Sequence, residues 1–163
     1  MSQMFALTRR AFLVGTAVAA TSSAFAQELG DRPVMRVSKD PNCGCCMGWI
    51  EHIRAAGFKT DVVEMSDLAP LKARLKIPKR LASCHTAELD GYVIEGHVPA
   101  AAIKRLLTER PNAIGLAVPN MPIGSPGMEV PGASDELYEV VLFSPTGQQS
   151  YGRFLGSKER DPV

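Results

Sequence analysis

The sequence carries almost no net charge, no apolar run long enough to cross a bilayer, no internal repeat and no low-complexity tract. Each absence closes off a class of protein. With 18 Lys and Arg against 17 Asp and Glu, the formal charge is +1, so there is no basic field of the kind that gathers nucleic acid. The local run of Lys72, Arg74, Lys76, Lys79 and Arg80 reads as a solvated helix face and the loop after it. The apolar run that begins at Ala11 ends near Ala20, short of the roughly 20 residues that a transmembrane helix needs.

That short run has a different reading. Thr8-Arg9-Arg10 stands directly before it, and Ala24-Phe25-Ala26 follows as a small-x-small cleavage site. Arginine pair, apolar run and cleavage site occur in the order of a twin-arginine-type signal, which sends already folded proteins to the periplasm. Residues 1–26 are therefore expected to be removed, leaving no stable membrane span. Losing Arg9 and Arg10 takes away two positive charges and no negative ones, so the formal charge moves from +1 to −1. The remaining 27–163 are long enough for one compact domain.

Along that domain, Val34-Met35-Arg36-Val37 is a β-branched strand signal ended by Asp40-Pro41-Asn42. From Gly44 to about Ala56, Cys46, Trp49, Ile50 and Ile53 recur at helical spacing, with Gly57 as a stop. Residues 58–63 read as a second strand, and Leu68, Leu71 and Leu75 as a short helix that tolerates Pro70 in its first turn. Asp90-Gly91 predicts a tight hairpin between Thr86–Leu89 and Tyr92–Glu95, since both turn residues accept positive φ. Pro99 then opens a helix carrying Ile103, Leu106 and Leu107 that ends before Pro111.

Strand, helix, strand, helix, strand, strand, helix is the order of a thioredoxin-like α/β fold, with a core at 34–110. Beyond it, 115–163 form an extension. Its Met/Pro/Gly-rich loop contains Pro119, Pro122, Pro126 and Pro131 with Gly124, Gly127 and Gly132, a composition that opposes regular structure. Tyr138–Phe143 and Ser150–Phe154 are expected to pair as a terminal β-hairpin around Pro145-Thr146-Gly147.

The chemistry concentrates in cysteine. Cys43-Gly44-Cys45-Cys46 puts three thiols at the start of the first helix, where N–H groups and the helix dipole favour thiolate. Thiolates are soft donors that prefer Cu(I), zinc or iron–sulfur centres. Adjacent Cys45 and Cys46 diverge from one backbone unit, so a single tetrahedral ion uses the spacing poorly, whereas bridging thiolates around more than one Cu(I) use it well. Cys84, in Ser83-Cys84-His85-Thr86, is expected to come against that helix and complete the set. His85, His97, Met121 and Met128 are candidates for further imidazole and thioether donors.

Other readings of the same residues stay open. Four cysteines in an exported protein allow two structural disulfides, although three within four residues close almost no loop. Cys43 and Cys46 satisfy Cys-x-x-Cys and suit a thiol–disulfide oxidoreductase. Against that, Cys45 intervenes, and the third strand is preceded by Cys84-His85-Thr86 where thioredoxins place a proline. A structural zinc or iron–sulfur module is a third reading. His52 reads as a surface or packing residue, and either methionine serves equally as a gap-filler.

Taken in order, Cys43-Gly44-Cys45-Cys46, Ser83-Cys84-His85-Thr86, Gly91-Tyr92-Val93-Ile94-Glu95-Gly96-His97-Val98-Pro99 and the segment from Gly115 to Glu129 resemble the CopG family of bacterial copper-resistance proteins. The likeness runs from about Val34 to Phe154. It implies a thioredoxin-like fold, a thiolate-bridged multi-copper site on Cys43, Cys45, Cys46 and Cys84, and a role in periplasmic copper tolerance. The partners expected on this reading are copper ions and periplasmic copper-transfer or redox proteins.

Overall fold

The computed structural model describes residues 33–161. The expected signal, with Arg9, Arg10 and the Ala24-Phe25-Ala26 cleavage site, lies outside the described residues. In chain order the elements are β1 (Met35–Lys39), α1 (Gly44–Ala55), β2 (Thr60–Glu64), α2 (Ala69–Arg74), a 3₁₀ turn at Lys79–Leu81, β3 (His85–Leu89) and β4 (Tyr92–Glu95). There follow α3 (Ala100–Glu109), β5 (Gly115–Ala117), β6 (Leu137–Ser144), β7 (Gly147–Leu155) and β8 (Lys158–Asp161).

Among the described residues the strands form one eight-stranded mixed sheet, in the order β2-β1-β3-β4-β5-β6-β7-β8. Two parallel pairs are each joined through a helix: β1 to β2 through α1, and β4 to β5 through α3. The other neighbours are antiparallel. Asp90 and Gly91 take positive φ in the β3–β4 turn, as the dipeptide requires.

Alternation along the strands sorts the core into two layers. Ile94, Leu116 and Leu142 face the layer that holds Trp49, Ile50 and Ile53 of α1 with Ile103 and Leu106 of α3. Their neighbours Val93, Ala117, Val141 and Phe143 face the opposite layer, which Ile77, Leu81 and Leu75 cover. A period of two in the strands thus meets a helical period in α1 and α3. Burying each large side chain contributes about 1.5–3 kcal/mol. Among the described residues no helix is long and apolar enough to cross a membrane.

The extension differs from the expectation in three places. Gly115–Ala117 is a strand, β7 begins at Gly147 rather than Ser150, and β8 adds a further strand. β5 is too short to hold itself. It exists because β4 and β6 supply hydrogen-bond partners on both sides. The segment between β5 and β6 has no helix or strand, in keeping with its proline and glycine content.

Candidate metal centre

One end of the sheet collects the chemistry, and the strand registers dictate which residues meet there. Lys39 at the end of β1 stands opposite His85, so the loop leaving β1 toward α1 lies beside Cys84. Thr86 stands opposite Glu95 in an antiparallel pair. Two residues before the one and two beyond the other, Cys84 therefore meets His97. Glu95 also pairs with Ala117, and the Val118 N–H donates to the Glu95 carbonyl at 3.0 Å, so the Met/Pro/Gly loop leaves from the same end.

The approach to α1 is built locally. Asn42 N–H donates to Asp40 Oδ1 at 2.8 Å and Cys43 N–H to the Asp40 carbonyl at 3.0 Å, a turn that delivers Cys43 to the N-cap of α1. Buried Lys39 holds the same turn by donating Nζ to the Pro41 carbonyl at 3.3 Å. No side chain caps the helix and its first turn holds no acidic residue. Its free N–H groups and positive dipole end are left for the sulfurs.

The four sulfurs of Cys43, Cys45, Cys46 and Cys84 all lie within 4.8 Å of one another. Cys43 and Cys46 are joined as a disulfide, whereas Cys45 and Cys84 are free. The short spacing does not prevent this crosslink, although it makes the closed loop small. Three residues apart on the first helical turn, their Cα atoms stand 5.5 Å apart, inside the range that a disulfide spans. The loop it closes is so short that it constrains the unfolded chain little. Cys43 Sγ is 3.5 Å from Cys45 Sγ, and Cys46 Sγ approaches the Cys84 carbonyl at 3.9 Å.

Cys84 also belongs to a second group. Its sulfur, His85 Nδ1 and His97 Nε2 lie within hydrogen-bonding range, at 3.4 and 3.1 Å from Cys84 Sγ respectively, and both imidazoles are fully buried. His97 Nδ1–H donates to the Pro126 carbonyl at 2.8 Å, which leaves the Nε2 lone pair facing Cys84. Burial, with His97 and Lys72 nearby, holds His85 well below the usual imidazole range. Burial lowers His97 as well, although the Pro126 carbonyl and Glu129 work the other way. Burial, with the charge of Cys45 adding to it, pushes the Cys84 thiol up to about 12. Burial thus favours the protonated Cys84 thiol and neutral imidazoles, and metal binding through the sulfur would release that proton.

Behind Cys84 lies a buried polar network that joins residues far apart in the chain. The Glu95 carboxylate is buried and ion-paired with Lys72. It accepts the Ser83 N–H at 2.6 Å and the Thr86 hydroxyl at 2.6 Å, and Lys72 Nζ donates to Thr86 Oγ1 at 2.9 Å. Burial raises the Glu95 pKa, against the pull of Lys72, Thr86 and Ser83. The carboxylate therefore fixes the backbone immediately before Cys84 and the strand immediately after it. A charged residue, Glu95, directly after the apolar run Tyr92-Val93-Ile94 was the one available signal.

The extension is seated on this site. Ser83 Oγ donates to the Asn120 carbonyl at 2.7 Å. A Cβ at Gly127 would stand 2.5 Å from Trp49 N and 2.6 Å from the Cys45 carbonyl, and its φ is +85°, so only glycine lets the loop lie on the first turns of α1. Met128 follows it and is half-buried, while Met121 is 48% exposed. His52 sits outside the cluster. Its Nε2 accepts the Ala100 N–H at 3.1 Å, so it ties α1 to the start of α3, in line with its reading as a packing residue.

Residues 81–128 match the family described as "Protein of unknown function, DUF411", a stretch that includes Cys84, His85, His97, Met121 and Met128. Two solved structures resemble the whole described fold. "Copper resistance protein copG- Form 1" is 42% identical with a TM-score of 0.71, covering 77% of this chain and 100% of its own. "Copper resistance protein copG- Form 2" gives the same identity and TM-score, covering 76% of this chain and 99% of its own. No curated protein matches.

Proposed function

Since the chain belongs to the family of the copper resistance protein CopG, we propose that it holds Cu(I) as a thiolate-bridged cluster of more than one ion, for copper tolerance in the periplasm. One observation carries this reading. Four sulfurs that come from two separate chain segments converge within 4.8 Å of one another. Soft, closely spaced sulfurs suit Cu(I), which accepts few ligands and shares them through bridges, better than zinc, which asks for four ligands arranged around one ion. Zinc remains the competing ion.

The β2-β1-β3-β4 half of the sheet with α1 and α3 supports a thioredoxin-like reading of the domain, with the metal-binding cysteines at the N-terminus of α1. Arg9, Arg10 and Ala24-Phe25-Ala26 support export of 27–163 after cleavage. On this reading the partners are periplasmic proteins that deliver copper, take it away or exchange electrons with it.

Titration of the reduced mature protein with Cu(I) against a coloured chelator tests the proposal. More than one tightly held equivalent per chain is expected, with zinc unable to displace it. Uptake of a single zinc ion with no competition for copper would overturn it. The Cys43–Cys46 disulfide at a helix N-terminus favours a second reading, a thiol–disulfide oxidoreductase. Metal-free turnover on a model disulfide that disappears in Cys43→Ser is the result that would support it.

A further inference from the structure

Helical spacing divides α1 into a buried face and an open one. Cys46, Trp49, Ile50 and Ile53 are buried, whereas Gly44, Met47, Glu51, Arg54 and Ala55 form an exposed stripe. Further along that stripe stand the charges of Glu51 and Arg54, as expected of a face in water. At its cysteine end stands a thioether, Met47, 39% exposed. We infer that Met47 is the entry ligand of the sulfur cluster, a surface thioether that takes Cu(I) from its carrier and passes it to Cys43. The inference deepens the copper reading and rests on it.

Three observations carry it. Cys43 is the N-cap of α1 and Met47 is the fourth residue of the helix. A side chain at that position leans back over the residues that lead into the helix, here Asn42 and Cys43. Second, this flank is open. A Cβ at Gly44 would meet no atom within 4 Å, and Cys43 and Cys45 both keep part of their surface exposed. Third, the other flank of the same turns is closed. A Cβ at Gly48 would stand 2.9 Å from Gly127 Cα, so the irregular loop covers α1 there and leaves the Gly44–Met47 side as the approach from solvent.

A thioether suits an entry step. It is soft enough for Cu(I) and carries no proton, so it binds without the deprotonation that a thiol requires. The unbranched, flexible side chain can reach outward to a carrier and back to the helix start. In the step proposed, the bond between Cu(I) and its carrier breaks as the bond to the Met47 sulfur forms. The Cys43 sulfur then displaces Met47 and releases its proton to water. No electron is transferred, and the copper remains Cu(I). The four sulfurs that lie within 4.8 Å of one another then share the ion.

Met47→Leu tests the inference, because leucine keeps the apolar volume and the helix propensity and removes only the sulfur. Reduced mature protein is mixed by stopped flow with Cu(I) held by a coloured chelator, and the colour is followed in time and at equilibrium. Without a thioether to hold the ion beside Cys43, transfer must wait for direct encounter with the cluster, and uptake by Met47→Leu should be about 10-fold slower than by wild type. Final affinity and the number of ions held should be unchanged. Equal rates for the two proteins overturn the inference and leave the copper reading standing. Weaker affinity or fewer ions in Met47→Leu would make the residue a permanent ligand, which also overturns it. No uptake by the wild type overturns this inference and the copper reading together.

Discussion

Cys84→Ser is expected to weaken Cu(I) binding by the reduced protein at least about 100-fold, measured by competition with a coloured chelator, with fewer ions held per chain. The size of the effect follows from position. Cys84 is the only sulfur supplied by the β3 side, and the other three all come from the start of α1. Serine replaces a soft, polarisable donor with a hard oxygen that does not bridge Cu(I). Losing a directly bound ligand exceeds the 10- to 100-fold typical of losing a supporting group. Because Cys84 is only half-buried, the fold should notice little, with a melting midpoint within a few degrees of wild type. Unchanged affinity would place the copper elsewhere.

The largest stability effect should come from Glu95→Ala. Removing the carboxylate leaves Lys72, 15% exposed, without its counter-charge. It also leaves the Ser83 N–H and the Thr86 hydroxyl without their acceptor. Breaking one side of a buried pair costs about 3–5 kcal/mol, a large share of the 5–15 kcal/mol by which domains are usually stable. At a few degrees per kcal/mol, the melting midpoint should fall by roughly 10–20 °C. Glu95→Gln keeps one oxygen acceptor for Ser83 and should lose less. Copper affinity should fall as well, because the backbone before Cys84 loses its anchor. A midpoint within about two degrees of wild type for Glu95→Ala would show that the network is not holding the site.

How much of this was readable from the chain differs between elements for physical reasons. α1 and the β3–β4 hairpin were legible because their signals are local: helical spacing of Cys46, Trp49, Ile50 and Ile53, and two turn residues that accept positive φ. β5 and β8 were not, because strands of three and four residues depend on the neighbours that tertiary structure brings to them. The same divide runs through the site. The cysteine cluster declared itself by composition and crowding, and the structure brings Cys84 to it. The pairing of His97 with Pro126, and of Glu95 with Ser83, Thr86 and Lys72, depends on segments that tertiary structure brings together, which no local pattern reports.

The disulfide marks the limit of spacing arguments. Loop closure says that Cys43 and Cys46 gain little by bonding, and helix geometry says that they can bond easily. Only the second consideration decides whether the two sulfurs can reach each other. The bond leaves the site with two sets of donors around one central sulfur, so its metal content should depend on the state of that pair.

X-ray absorption at the copper edge, on reduced mature protein loaded with Cu(I), reads the coordination sphere directly. The account predicts a first shell dominated by sulfur and a second shell containing another copper atom at a short distance. A shell of nitrogen and oxygen, or sulfur-bound copper with no copper neighbour, would contradict it.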